Sequence, residues 1–250
     1  MSEFEVCTLA DPAAVGSAAA GRAAAVIEGA VRERGRANVM FASGNSQLAF
    51  LEMLTTRHPV EWSRVVGFHM DEYLGIGADH PASFRRYMRE RIVEVAHPVE
   101  FHEIRGDAPD AATECGRYAD LLHEHPLDLC CLGIGENGHL AFNDPPVADF
   151  DDPFDVKVVA LDDACRRQQV GEGHFDGIDA IPTHAITVTI PALLSAGVVL
   201  AIVPEARKRE PVRRALLGPV STACPASILR TRPNVTMFLD ADSSALVTSS

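Results

Sequence analysis

Apolar and polar positions change in long blocks along this chain, with no short repeat. Several stretches are apolar almost throughout: NVMFA at 38–42, VVGFHM at 65–70, LDLCCL at 127–132, VVLAIV at 198–203 and VTMFL at 235–239. Runs of this length predict strands buried on both faces, as in a parallel sheet. Lys157–Ala160 reads as an edge strand. Asp11-Pro12 supplies a cap and a first-turn proline for an Ala-rich helix running to about Arg34. Further helices are expected over 46–56, Pro81–Ile92, Pro109–His123, Asp162–Val170 (capped by Asp162 or Asp163) and Glu205–Leu217, the last ending at Gly218. This alternation predicts an α/β fold: an open, mostly parallel Rossmann-like sheet with helices on both faces, in three layers. No linker or charge block divides residues 1–250, so a single domain is expected. Ligands of such sheets bind outside the carboxyl ends of the strands. The segments SGNS, DEY and GENGH each follow a strand directly and are the places to look for chemistry.

Composition narrows the class. The chain has 250 residues, 47% hydrophobic and 23% charged, enough for a sizeable core and unlike a disordered segment. With 22 Lys+Arg against 35 Asp+Glu the net charge is −13, which argues against nucleic acid or an anionic membrane as a general partner. The opening MSEFEVCTLAD carries charge where an export signal needs an apolar run, and no apolar stretch reaches the length of a membrane span. A cytoplasmic protein is expected. The cysteines at 7, 115, 130, 131, 165 and 224 then read as reduced thiols, the pair at 130–131 as core filler. Nothing in the sequence fixes the oligomeric state, and a homo-oligomer is compatible with it.

Three segments carry candidate chemistry. Ser43, Gly44, Asn45 and Ser46 join a strand to a helix, an arrangement that offers backbone N–H groups to a phosphate, although the same residues also suit a tight turn with a helix cap. Asp71 and Glu72 follow the second strand. A partly desolvated carboxylate there can act as a base, and strand alternation allows only one of the two to face the site. The third segment, Gly133 to Pro145, contains a literal GxGxxG at Gly133, Gly135 and Gly138. A dinucleotide fingerprint is nevertheless rejected, because Pro145-Pro146 follow within seven residues of Gly138 and the segment lies mid-chain. What remains is a glycine-rich turn bringing His139, a residue suited to proton transfer, near Asn137 and Asp144.

Residues 205–232 form a basic island, with seven Arg/Lys against two Glu, a local +5 that leaves −18 on the rest of the chain. Such an island suits an anion, with only one or two of its side chains expected to touch a ligand. His69, Asp71 and His139 also suggest a metal, but neither HExxH nor CxxC spacing supports one. A serine hydrolase is disfavoured by the lack of a GxSxG elbow.

In this order, the segments resemble the glucosamine-6-phosphate deaminase/6-phosphogluconolactonase superfamily. The matching pieces are FASGNSQ (41–47), FHMDEYLGIGADHPASFRRYM (68–88), DLCCLGIGENGHLAFNDPP (128–146), HAITVTIPALLSA (184–196) and RKREPVRRALLGPVS (207–221). AFNDP after the histidine resembles the deaminase branch. The resemblance implies conversion of glucosamine 6-phosphate and water into fructose 6-phosphate and ammonia, without metal or organic cofactor. It implies Asp71 as the base that moves a proton from C2 to C1, and His139 as the ring-opening group, assisted by Asn137 and Asp144. The implied substrate and phosphate contacts are Ser43, Gly44, Asn45, Ser46, Glu72, Gly138 and Lys208, with a family arginine that aligns with Arg166 or with Arg167. Asp144 stands where the family commonly has Glu, which predicts looser or water-bridged support of His139, and Gln47 replaces a usual proline. Two other readings are a 6-phosphogluconolactonase and a non-catalytic sugar-phosphate sensor on the same fold.

Overall fold

The computed structural model describes residues 4–161, 166–167, 175 and 177–247. Its centre is a seven-stranded sheet in the order β1-β10-β9-β6-β2-β3-β5. The strands are β1 (Glu5–Leu9), β2 (Ala37–Phe41), β3 (Val65–His69), β5 (Glu100–His102), β6 (Leu129–Leu132), β9 (Val198–Val203) and β10 (Val235–Asp240). Every neighbouring pair is parallel. A second, antiparallel sheet, which the residue pattern did not predict, joins β4 (Asp71–Tyr73), β8 (His184–Val188) and β7 (Val156–Ala160). The edge strand expected at 157–160 is thus at an edge, but of this smaller sheet.

The period of two along each strand sorts side chains onto two helical layers. Val39, Phe41, Leu129 and Cys131 pack under α1 (Pro12–Arg34) and α2 (Leu48–Arg57). Met40, Cys130, Leu132 and Ala201 face α5 (Ala111–Glu124), α6 (Ile190–Leu194) and α7 (Arg209–Leu217) on the other side. The adjacent cysteines 130 and 131 therefore fill opposite halves of the core as free thiols. Helix α1 starts as its sequence implies: the Asp11 carboxylate accepts from the Ala14 N–H at 2.8 Å, and Pro12 occupies the first turn. The helix expected over 81–92 is less regular. It starts at α3 (Phe84–Met88), widens into a π turn (Arg89–Val93) and ends in α4 (Glu94–Ala96). The helix expected over Asp162–Val170 lies outside the described residues, except Arg166 and Arg167.

From β2 the sheet extends through β3 and β5 in one direction and through β6, β9 and β10 in the other. The reversal falls between β2 and β6. Crossovers diverge there to opposite faces and leave a crevice at the carboxyl ends, where doubly wound sheets bind ligands.

Candidate functional site

A cleft of about 580 Å³, open mouth included, occupies that crevice. Four parallel strands contribute the chain that follows their carboxyl ends: Ser43, Gly44 and Ser46 after β2, Asp71 after β3, Gly133, Gly135 and His139 after β6, and Lys208 after β9. Residues far apart in sequence thus share one cavity.

The Ser43–Ser46 turn is shaped by Gly44, whose φ of +111° is a conformation that side chains rarely adopt. Asn45–Gln47 form a 3₁₀ turn leading into α2, so backbone N–H groups gather at the cleft. Two contacts not foreseen from sequence hold the turn. The Tyr87 hydroxyl donates to the Gly44 carbonyl at 2.9 Å, and Gln47 Nε2 reaches the Ile202 carbonyl at 3.2 Å from a fully buried position. Gln47 thereby ties the turn to β9. Asn45 itself lines a neighbouring groove rather than the cleft.

On the opposite side, His139 sits against Gly135 so closely that a Cβ there would fall 2.1 Å from the imidazole Nε2. Gly138 is required for another reason, a φ of +94°. It packs on Cys224 and does not line the cleft. The glycine pattern is therefore a bed for a histidine, in agreement with rejection of a dinucleotide fingerprint. Asp144 Oδ1 lies 2.8 Å from His139 Nδ1, and also accepts from Asn137 Nδ2 at 2.8 Å. Asn137 Oδ1 accepts from the His139 backbone N–H at 3.0 Å. The turn itself brings Asp144 into contact with His139, but the Nδ1–Oδ1 pair lacks the alignment of a hydrogen bond, so the support is direct yet loosely aimed. Ala141, within this turn, is held at φ +50°, a strain of the kind that concentrates at functional sites.

Asp71 is almost fully buried and faces the cleft. Burial pushes its pKa well above the usual carboxylate value, and the charges of Glu72 and Asp144 add to the rise. Glu72 points the other way. Its oxygens accept from the N–H groups of Tyr73, Phe84 and Arg85 and from the Ser83 hydroxyl, at 2.7 to 3.1 Å. It is a buried anchor for the start of α3, which corrects its assignment as a substrate contact; the alternation argument, one carboxylate in and one out, holds. His69 is likewise a core residue, its Nε2 accepting from the Ile104 N–H at 2.7 Å and its pKa lowered to about 3, mainly by burial. It does not join Asp71 and His139 in the cleft, so the three-residue metal grouping does not assemble.

Lys208 is buried at the cleft wall on a short 3₁₀ turn, Ala206–Lys208. That turn starts from Glu205, which adopts φ +86° and is held by a hydrogen bond from its N–H to the Asp240 carboxylate at 3.0 Å. The strain, about 1–3 kcal/mol for such a conformation, aims the turn at the cleft. Several other basic residues of the island serve the fold: Arg213 pairs with Glu210, Arg207 with Glu205, and Arg230 caps the Ala215 and Gly218 carbonyls. Arg166 donates to the Ile178 carbonyl at 2.7 Å and is not among the cleft residues. Phe84 and Phe142, which complete the wall, carried no chemical signal in the sequence.

Fold and cleft together define a doubly wound α/β protein with its site at the topological switch point. The chain belongs to the glucosamine-6-phosphate isomerases/6-phosphogluconolactonase family, whose model matches residues 10–238. A glucosamine-6-phosphate deaminase of an Exiguobacterium species (strain ATCC BAA-1283 / AT1b) is 33% identical over 199 residues, 80% of this chain and 76% of that one. A glucosamine-6-phosphate deaminase of Listeria monocytogenes serotype 4b is 32% identical over 215 residues, 85% of this chain and 89% of that one. A monomeric glucosamine-6-phosphate deaminase of known structure superposes with a TM-score of 0.89 at 28% identity, over 97% of this chain and 100% of that one. A 6-phosphogluconolactonase from Shewanella baltica shares the fold, with a TM-score of 0.79 at 21% identity over 96% and 98% of the two chains. No helix among the described residues is long and apolar enough to cross a membrane.

Proposed function

We propose that this protein isomerises and deaminates an amino-sugar 6-phosphate, converting glucosamine 6-phosphate and water into fructose 6-phosphate and ammonia. The observation that carries this reading is that Asp71 and His139 line one cleft whose remaining walls are the Ser43–Ser46 turn and Lys208. The turn's N–H groups and the Lys208 ammonium bind the phosphate, which positions C1 and C2 between the carboxylate and the imidazole. His139, oriented by Asp144 and Asn137, moves the proton from the C1 hydroxyl to the ring oxygen and frees the C1 aldehyde. That aldehyde acidifies the C2 proton. Asp71 removes it while the C1 oxygen gains a proton, giving an enolamine, and then returns it to C1 as the amino group gives up a proton, leaving a C1 hydroxyl and an imine at C2. Water adds at C2 and ammonia leaves.

The test is ammonia release across glucosamine, galactosamine and N-acetylated 6-phosphates, with 6-phosphogluconolactone hydrolysis measured beside it. Ammonia and fructose 6-phosphate from glucosamine 6-phosphate support the proposal. Lactone hydrolysis without ammonia release, persisting in Asp71→Asn but lost in His139→Ala, points instead to a lactonase. Binding of both compounds with turnover of neither points to a sensor.

Two further expectations concern individual groups. Lys208→Ala is expected to raise KM by about tenfold or more and to lower kcat less, since its contact with the phosphate is made in ground and transition states alike. Steady-state kinetics check this, and an unchanged KM removes Lys208 from the phosphate site. The second is a pH effect. The base form of Asp71 is the ionised one, so activity falls as pH drops through its raised pKa. The acid limb of kcat/KM is therefore expected above the range of an ordinary carboxylate, and Asp144→Asn, which removes one of the raising charges, is expected to move it down. A limb near pH 4 in the wild type contradicts the assignment.

A further inference from the structure

At the far edge of the sheet, away from the cleft, three other side chains converge. Glu100 and His102 stand two apart on β5, and so point to the same face, while His125 follows α5. One ligand atom from each lies within 4.8 Å of the others. The two imidazoles are 5.3 Å apart, centroid to centroid, and both rest against Phe68 at 4.9 and 5.9 Å. His102 Nε2 stands 3.2 Å from Glu100 Oε2 but lacks the alignment of a hydrogen bond. Among the described residues, His102 Nε2 and His125 Nδ1 are both buried ring atoms with no hydrogen-bond partner.

Buried ring nitrogens left unpaired are costly and call for an explanation. We propose that Glu100, His102 and His125 form a binding site for a divalent transition metal of the zinc type, tying the edge strand β5 to the turn between α5 and β6. Two nitrogens and one carboxylate oxygen suit zinc far better than magnesium or calcium, and a fourth position remains for water. Zinc–ligand bonds of about 2.0–2.2 Å put ligand atoms roughly 3.3 Å apart in a tetrahedron. Reaching that spacing takes rotation of Glu100, whose side chain is 55% exposed and free to turn. The imidazoles must be neutral to coordinate, so zinc is expected to bind more tightly as pH rises toward neutrality. Arg117 is the opposing charge nearby, and its guanidinium is already paired with Glu114 at 2.5 Å.

The experiment is calorimetric titration of the chelator-treated full chain with zinc chloride and with magnesium chloride, repeated for Glu100→Gln, His125→Ala and His139→Ala. Zinc is expected to bind with one site and magnesium not to bind. His125→Ala and Glu100→Gln are each expected to weaken zinc by at least about tenfold, with His139→Ala unchanged. Zinc is also expected to raise the melting temperature of the wild type and not that of His125→Ala. Glu100 is exposed, so its variant keeps the test valid if His125→Ala fails to fold. Zinc binding that is equal in wild type and Glu100→Gln, or that is lost only in His139→Ala, overturns the proposal.

Discussion

Asp71→Asn is expected to reduce ammonia release by about 10²–10⁴-fold, the usual contribution of a positioned general base, while making the protein more stable at neutral pH. The two effects have one cause. Burial, then the charges of Glu72 and Asp144, hold the Asp71 pKa well above its value of 3.8 in an unfolded chain. Below that value the group is protonated in both states and stability is unaffected. As pH rises above it, the unfolded chain releases the proton while the folded one retains it, so stability falls until the folded group also ionises. The wild type carries that penalty at neutral pH because the site needs a carboxylate there. An amide of the same shape does not ionise and escapes it. Thermal melts of the two proteins from pH 3 to 8 check the argument: the variant's advantage is expected near neutrality and to vanish toward pH 3. Fructose 6-phosphate is expected to raise the melting temperature of both, since the phosphate contacts lie elsewhere in the cleft. Activity within tenfold of wild type removes Asp71 as the base. A variant that melts lower at pH 7 removes the stability argument.

The central strands were legible in the sequence because burial on both faces leaves continuous apolar runs, as in VVLAIV of β9. Most of the strands that escaped notice lack that mark; β8, HAITV, is buried over four of its five residues but is interrupted by Thr187. β1, EVCTL, is an outer strand with mostly exposed side chains, β5 is only EFH, and β4 is the polar DEY itself. The acid and the histidine of the cleft were legible because each follows an apolar run, and the carboxyl end of a parallel strand is where the crevice lies, whereas only the family resemblance singled the lysine out of its basic island. Their support was not. Tyr87 under Gly44 and Asp240 behind Glu205 act across 43 and 35 residues of chain, and nothing local in the sequence marks such contacts. Arg166 was drawn into the site by the family resemblance and Gly138 by its place beside His139, yet each is engaged elsewhere, with the Ile178 carbonyl and Cys224 respectively.

Glu72, a substrate contact only by the family resemblance, is where the largest loss of stability is expected. Its carboxylate is fully buried and accepts four hydrogen bonds from Tyr73, Ser83, Phe84 and Arg85, with the Arg85 Nε 3.5 Å away. Three of those donors are backbone N–H groups, two of them in the first turn of α3, which no residue of the helix itself can satisfy. Burial raises the Glu72 pKa, and the hydrogen bonds pull against that rise. Glu72→Ala leaves these donors and the Arg85 guanidinium in a dry pocket, and removing one partner of a buried charged network typically costs about 3–5 kcal/mol. For a chain of this size that corresponds to a melting temperature lower by very roughly 6–20 °C. Glu72→Gln keeps one acceptor oxygen for Tyr73 and Phe84, and its amide can donate to the Ser83 hydroxyl. Only the Arg85 N–H then loses its acceptor, so a smaller loss of about 1–3 kcal/mol is expected. Urea denaturation of the three proteins, read by circular dichroism, orders them. The ordering separates the roles of the two neighbours, because Asp71→Asn is expected to lose activity and gain stability, and Glu72→Gln to lose stability and keep measurable activity. A Glu72→Ala variant as stable as the wild type but unable to bind fructose 6-phosphate would return Glu72 to the cleft.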